Sequence, residues 1–433
     1  GQSDGRSVRM RSSNATIGHS HIHHGNGFGV LIEGAGLAPT LQEVEIDHCT
    51  GVALHQNTLD MTPSYVGLNL HENCGDYLLI NGATLLRDVT LDGSPAALGG
   101  APIHLGSASV AAGRTLTVTA SSEVRFPPGG YLVVENGGAL TAVGTASLPI
   151  TLTSQAATPA PGSWRRVDLQ SGSRARLTYV EIAYAGQSDG RSLGVFSSDV
   201  EVRHSRIHHG LNTGLWLQNT GLTPTFEDVE IDHGTGNAIY QSTANMSPTY
   251  DALSLHDNGT DALAINCGAM ISQAIVWNSA NLGGAPIHAI GSPILDSGGA
   301  LTVTAGTTVR MGSGTVVQIR NGGALSIQGT PTQPVTFTSQ AATPAPGDWM
   351  GIDLWQAGGR LRADYLDLSY AGQTNNRSLH ITSSDVEIRD SRIHHGLGNG
   401  IRLPYSGLTP ILQRLEIDHH SGSAILQDRI NSN

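Results

Sequence analysis

The stretches "DVEIDHGTGNAIY" (Asp228–Tyr240) and "DALSLHDNGTDALAI" (Asp251–Ile265) decide the fold of this 433-residue chain. In both, an aliphatic residue sits between polar ones, a turn containing Gly or Asn follows, and a second alternating run begins. Alternation of this kind is strand patterning with one face turned inward. The aliphatic anchor recurs at Ile182, Ile207, Ile231 and Leu255, with Val276 as a weaker fifth, in steps of 25, 24, 24 and 21 residues. A repeat this short cannot bury an apolar face alone and must stack on its neighbours, which is the signature of a solenoid.

A longer period encloses the short one. "GQSDGRS" begins at Gly1 and Gly186 and returns as "GQTNNRS" at Gly372, giving offsets of 185 and 186. "SQAATPAPG" at Ser154 and Ser339, "LGGAPIH" at Leu98 and Leu282 and "NGGAL" at Asn136 and Asn321 keep the same step. The chain therefore reads as one continuous solenoid over 1–433, built from tandem units 1–185 and 186–371 and an incomplete third, 372–433. Beginning with Gly and breaking off within a unit, it reads as a processed or excised segment of a longer array. Helix-period segments are lacking, so the expected class is all-β: a parallel β-helix of roughly 18 coils at about 24 residues each, a rod of roughly 90 Å.

Composition agrees. There are 55 Gly, 5% aromatic and 13% charged residues, which suits short strands joined by tight turns rather than a compact aromatic core. The net charge of −12 and the lack of a basic run argue against nucleic acid as a partner. No apolar run reaches the roughly 18 residues that span a bilayer. All 23 basic residues are Arg, which removes lysine as a base or Schiff-base former.

Stacking the anchors gives the polar residues after them a meaning. "SRIHHG" occurs at Ser205–Gly210 and Ser391–Gly396, and "SHIHHG" at Ser20–Gly25. One column along the solenoid then holds His208, Asp232 and His256 in the second unit and His23, Asp47 and His71 in the first. The next holds His209, His233 and Asp257, and His24, His48 and Glu72. The third unit supplies His394, Asp418, His395 and His419. This lattice admits three readings. It decorates a strand-to-turn corner; or its His/Asp/His columns bind a divalent metal, the one cofactor the chain suggests; or carboxylate and histidine act as acid and base on a polysaccharide. One lattice per unit favours a structural or multivalent role.

At "LTVTAGTTVRMGSGTVVQIRNGGALSIQGTPTQPVTFTSQAATPAPGDWMGIDL" (Leu301–Leu354) the chain resembles secreted bacterial right-handed parallel β-helix repeat proteins, which share the pectate-lyase-like superfamily fold. A looser copy runs from Leu116 to Leu169. The resemblance implies a right-handed β-helix, an extracellular or cell-surface location, and a loop before Trp164 and Trp349. That family mixes enzymes, adhesins and surface-layer components. The expectation is a structural or adhesive β-helix rod that associates end to end or with neighbouring repeats. The rival is a polysaccharide lyase or glycoside hydrolase whose best residues are Asp232, His208 and His256, or Asp47, His23 and His71. A third reading is a carbohydrate-binding surface without turnover.

Lesser signals complete the list. Cys49 and Cys74 fall near the same corner of adjacent coils and suggest a disulfide, while Cys267 reads as free and buried. Trp164 and Trp349 close a loop or stack on sugar, and Tyr184 and Tyr370 pack at the core edge or border a groove. Asn258-Gly259-Thr260 and Asn245-Met246-Ser247 fit a glycosylation sequon.

Overall fold

A computed structural model describes residues 6–11, 14–188, 190–355 and 358–428. It is nearly all β: parallel strands wind as a right-handed β-solenoid of about 17 turns. The helical elements among the described residues are the four-residue Pro95–Leu98 and the 3-10 turn Ala280–Leu282. Contacts divide the chain into two compact units, residues 1–216 with 223–238 and 256–260, and residues 217–222 with 239–255 and 261–433.

In the first unit, apolar residues align in register through successive turns. Leu116 pairs with Leu140, Leu140 with Ala175 and Ala175 with Val200, and on another face Leu132 pairs with Val167 and Val167 with Leu193. All of these side chains are buried. Each buried Leu or Val here stabilises the stack by about 1.5–3 kcal/mol relative to exposure, and Ala175 by less. The long strand Val200–His208 joins two ladders into one sheet: Val200–Arg203 follow the strand Arg174–Thr178, and Arg206–His208 pair with Val180–Ala183. His204, at φ 48°, makes the bend between the two halves.

The second unit follows the same rules on three sheets. Its inner ladder runs Ile275, Leu301, Leu325, Leu361 and Val386. Here the fifth anchor expected from sequence is corrected. Val276 faces outward, 65% exposed, opposite Thr302, while Ile275 and Trp277 point inward. The step of 21 was the warning, since it left Val276 on a different sheet from the preceding anchors.

Both loop tryptophans are structural. Trp164 and Trp349 are fully buried, and their indole N–H groups donate to the carbonyls of Ala183 at 2.7 Å and Ser369 at 2.9 Å. Trp164 also stacks on Phe126, with ring centroids 4.4 Å apart. Rings so placed are closed to a sugar face.

Candidate functional site

With an anchor pointing inward, the residues on either side of it point outward together. The register confirms the stacked anchors: Ile182 pairs with Ile207 and Ile207 with Ile231; Ile22 pairs with Ile46 and Ile46 with Leu70; Leu368 pairs with Ile393 and Ile393 with Ile417. The column following the anchor is as read from sequence, with His208 opposite Asp232, His23 opposite Asp47, Asp47 opposite His71, and His394 opposite Asp418.

The bonds, however, do not run down that column. They run diagonally to a column that sequence reasoning missed, formed by the residue just before each anchor: Glu181, Arg206, Glu230; Asp367, Arg392, Glu416; His21, Glu45. His208 Nε2 meets Glu181 Oε1 at 2.6 Å, His394 meets Asp367 at 2.8 Å, His71 meets Glu45 at 2.8 Å and His256 meets Glu230 at 3.0 Å. In the other diagonal, Arg206 clasps Asp232 through Nε at 2.9 Å and Nη2 at 2.6 Å, and Arg392 holds Asp418 at 3.0 Å. The signal was present in the alternation, which puts the residues on both sides of the anchor on the outer face.

The second histidine of each pair occupies a corner with left-handed backbone. His24, His48, His209, His233, His395 and His419 all have φ between 50° and 51°. Glu72, Asp257, Tyr184 and Tyr370 share this conformation in the same column. The corner sets the rings face to face on successive turns: His24 on His48 at 4.9 Å, His209 on His233 at 4.9 Å and His395 on His419 at 4.5 Å. Tyr184 and Tyr370 abut the ladders beside His209 and His395. Within each pair the two Nδ1 atoms lie 2.6–2.8 Å apart, so one ring donates and its neighbour accepts. The following glycine is required by close approach: a Cβ on Gly25, Gly210 or Gly396 would lie 2.1–2.3 Å from the hydroxyl of Ser7, Ser192 or Ser378. "IHHG" and the Ser of the "GRS" or "NRS" triplet thus fit each other across turns.

Charge follows geometry. Burial of Asp232, which has no exposed surface, opposes ionisation, but the Arg206 guanidinium and the His233 ring overcome it and hold the carboxyl below its usual range. The His21 ring does the same for Asp47, and His419 with Arg392 for Asp418. Glu181 is lowered by its bond to His208. His71 is raised by Glu45, and His256 by Asp257 and Glu230. Burial lowers His209 and His395, reinforced by the neighbouring imidazoles.

Among the described residues three groups could hold a metal, each with donor atoms within 4.8 Å of one another: His21, Glu45 and Asp47; Glu230, Asp232 and His256; His394, His395 and Asp418. Two of these sets keep neighbours of the column read from sequence, Asp232 with His256 and His394 with Asp418, and each set draws a further donor from an adjacent column. His208 is turned to Glu181 and away from such a group with Asp232. His48 bridges Asp47 at 3.1 Å and Glu72 at 3.2 Å, and Asp257 bonds His256 at 2.9 Å. As a catalytic base Asp232 is poorly placed, being fully buried with both oxygens on Arg206.

The cysteine pairing expected from sequence does not form. Cys49 is buried and Cys74 exposed, both as free thiols. They stand three and four residues past their anchors, Ile46 and Leu70, so Cys49 falls beside Asn73, whose Oδ1 accepts from its N–H at 3.0 Å, and Cys74 comes one position later. Cys267 is free and buried, which pushes its thiol up to about 12. Neither sequon leaves its asparagine free: Asn258 donates to the carbonyls of Ile231 and His256, and Asn245 to that of Met270. Sequence reading also missed two pockets that recur at the long period. One of about 240 Å³ lies beside Gln241, Tyr250 and Trp277, and one of about 220 Å³ beside Gln56 and Tyr65. In each the Gln amide donates to the Tyr hydroxyl, at 2.8 and 2.6 Å.

Parallel turns with a polar ladder repeated along them define a right-handed parallel β-helix repeat protein. Residues 281–379 match the family described as pectate-lyase like beta helix domain. No curated protein and no solved structure matches the chain. Among the described residues no helix is long and apolar enough to cross a membrane.

Proposed function

We propose that the chain is a structural β-helix module of an extracellular or cell-surface assembly, acting as stalk or adhesive element rather than as a polysaccharide lyase or hydrolase. One observation carries this reading: the lattice recurs in all three tandem units, and in each its carboxylates are engaged by cations or imidazoles of the lattice itself. A general acid or base needs a group held ready for substrate. Here the ionisable groups are spent on joining one turn to the next, and the commonest cross-turn partner is a side chain about 24–27 residues away.

The test is turnover. Purified protein is incubated with acidic and neutral polysaccharides and followed for unsaturated uronate products and new reducing ends. The reading expects neither product, with wild type and the Asp47→Asn/Asp232→Asn double variant indistinguishable. Turnover by wild type that the double variant loses would establish the enzyme reading instead.

A further inference from the structure

The three lattices are near copies, but one position differs in a way that changes what the cluster can bind. The residue just before the anchor is Arg206 in the second repeat and Arg392 in the third, and it is His21 in the first. In the second and third, a permanently charged guanidinium occupies the central carboxylate. In the first, His21 Nε2 stands at that place, 2.7 Å from Asp47 Oδ2. Among the described residues Asp47 pairs only with imidazoles: His21, His48 and His71.

We propose that the first lattice, and not the other two, is a divalent-metal site of zinc type, with His21 Nε2, Asp47 Oδ2, Glu45 Oε1 and His71 Nε2 as its donors.

The geometry suits such an ion. A tetrahedral zinc with nitrogen and oxygen ligands at about 2.0–2.2 Å sets its donors roughly 3.4 Å apart. Three of the donor separations bracket that value: 2.7 Å from His21 to Asp47, 2.8 Å from His71 to Glu45 and 3.9 Å from His71 to Asp47. His21, Glu45 and Asp47 also offer donor atoms mutually within 4.8 Å. Two carboxylates and two neutral imidazoles carry a charge that a dication cancels; imidazole suits zinc or a neighbouring transition metal, and carboxylate is an accepted zinc ligand beside it.

Asp47 Oδ1, the oxygen outside the donor set, is left to the imidazole of His48. Asp47 is only 5% exposed, yet its Oδ1 has no hydrogen-bond partner of good geometry. Its near neighbour is His48 Nδ1 at 3.1 Å, and His48 Nε2 is in turn 3.2 Å from Glu72. That chain of groups would orient the carboxylate behind the ion, as outer partners do in metal sites. His21, Glu45 and His71 are each between a third and half exposed, so the ion has a path in from solvent. In the second repeat the corresponding Glu230, Asp232 and His256 converge equally well, but a dication there would share Asp232 with Arg206, whose charge repels it.

The test exchanges the residue before the anchor. Zinc binding is measured by equilibrium dialysis with metal analysis, and cobalt substitution reports the coordination geometry, at neutral pH in a non-chelating buffer. Wild type is expected to bind one ion per chain with a tetrahedral cobalt spectrum. His21→Arg imports the residue that the other repeats carry, so the fold is retained, and zinc affinity falls by at least about 10–100-fold. Arg206→His is expected to raise the stoichiometry to two. The proposal is overturned if wild type binds no zinc, if His21→Arg binds as tightly as wild type, if Arg206→His gains no ion, or if wild type binds one ion per lattice.

Discussion

A histidine in left-handed backbone is an uncommon choice, and the lattice makes it repeatedly. For an L-residue this conformation costs roughly 1–2 kcal/mol, with Asn, Asp and His tolerating it best and β-branched residues worst. At His209, His233, His395 and His419 the ring is recompensed by stacking on the next turn. His233→Val should therefore lower stability by about 2 kcal/mol, whereas His233→Asn, which suits the corner but cannot stack, should cost about 1 kcal/mol or less. Guanidinium denaturation of both variants checks the order; an equal loss for the two would mean that the corner conformation does not decide the residue. The pair "HH" thus holds two different jobs. In His208 and His394 the first ring belongs to a strand and reaches back to a carboxylate, and in every pair the second belongs to a corner. Adjacency in sequence hid the distinction, because the corner bends the chain between them.

Successive turns carry titratable groups that act in separate pH windows. His104 and His288, equivalent positions of the two "LGGAPIH" segments, are pushed down to about 4 by burial, helped by Arg125 and Arg310 respectively. Being neutral when folded, they bind a proton only in the unfolded chain between about pH 6.5 and 4. Stability is thus intact above that window and falls as pH drops through it. His209, His395 and His420, also lowered, act in the same direction. His71 and His256 are raised, so their contribution is full below about pH 6.5 and fades as pH rises through their folded values. The lowered Asp232 and Asp418 contribute above about pH 4 and lose it on further acidification. A His104→Gln/His288→Gln variant should lose less stability than wild type between pH 6.5 and 4.5, with the same trend as wild type above pH 7. Denaturant midpoints measured across this range test it, and parallel slopes in the acid window would contradict the assignment.

At the scale of the whole chain, the solenoid was legible because its anchors recur at a step too short for an independent core. Ile182, Ile207 and Ile231 stack as their spacing requires. Val276 did not, because an alternation that continues across a turn says nothing about which sheet receives it. Of the lattice, the columns after the anchors could be read from sequence, but the diagonal bonds could not. They depend on side-chain reach: Arg206 spans one turn to Asp232, and His208 spans one turn back to Glu181. The disulfide failed for a related reason, a one-residue offset past the corner that leaves Cys49 beside Asn73 instead of Cys74. The lattice as a whole reads as a set of rivets between turns, and its central claim rests on the best-buried one. The direct measurement is a double-mutant cycle on Arg206→Gln and Asp232→Asn, followed by equilibrium denaturation. The account predicts that Asp232→Asn alone costs about 3 kcal/mol and that the pair couples by about 1–3 kcal/mol. Stability unchanged in the single variant, with coupling indistinguishable from zero, would contradict it and free Asp232 for another role.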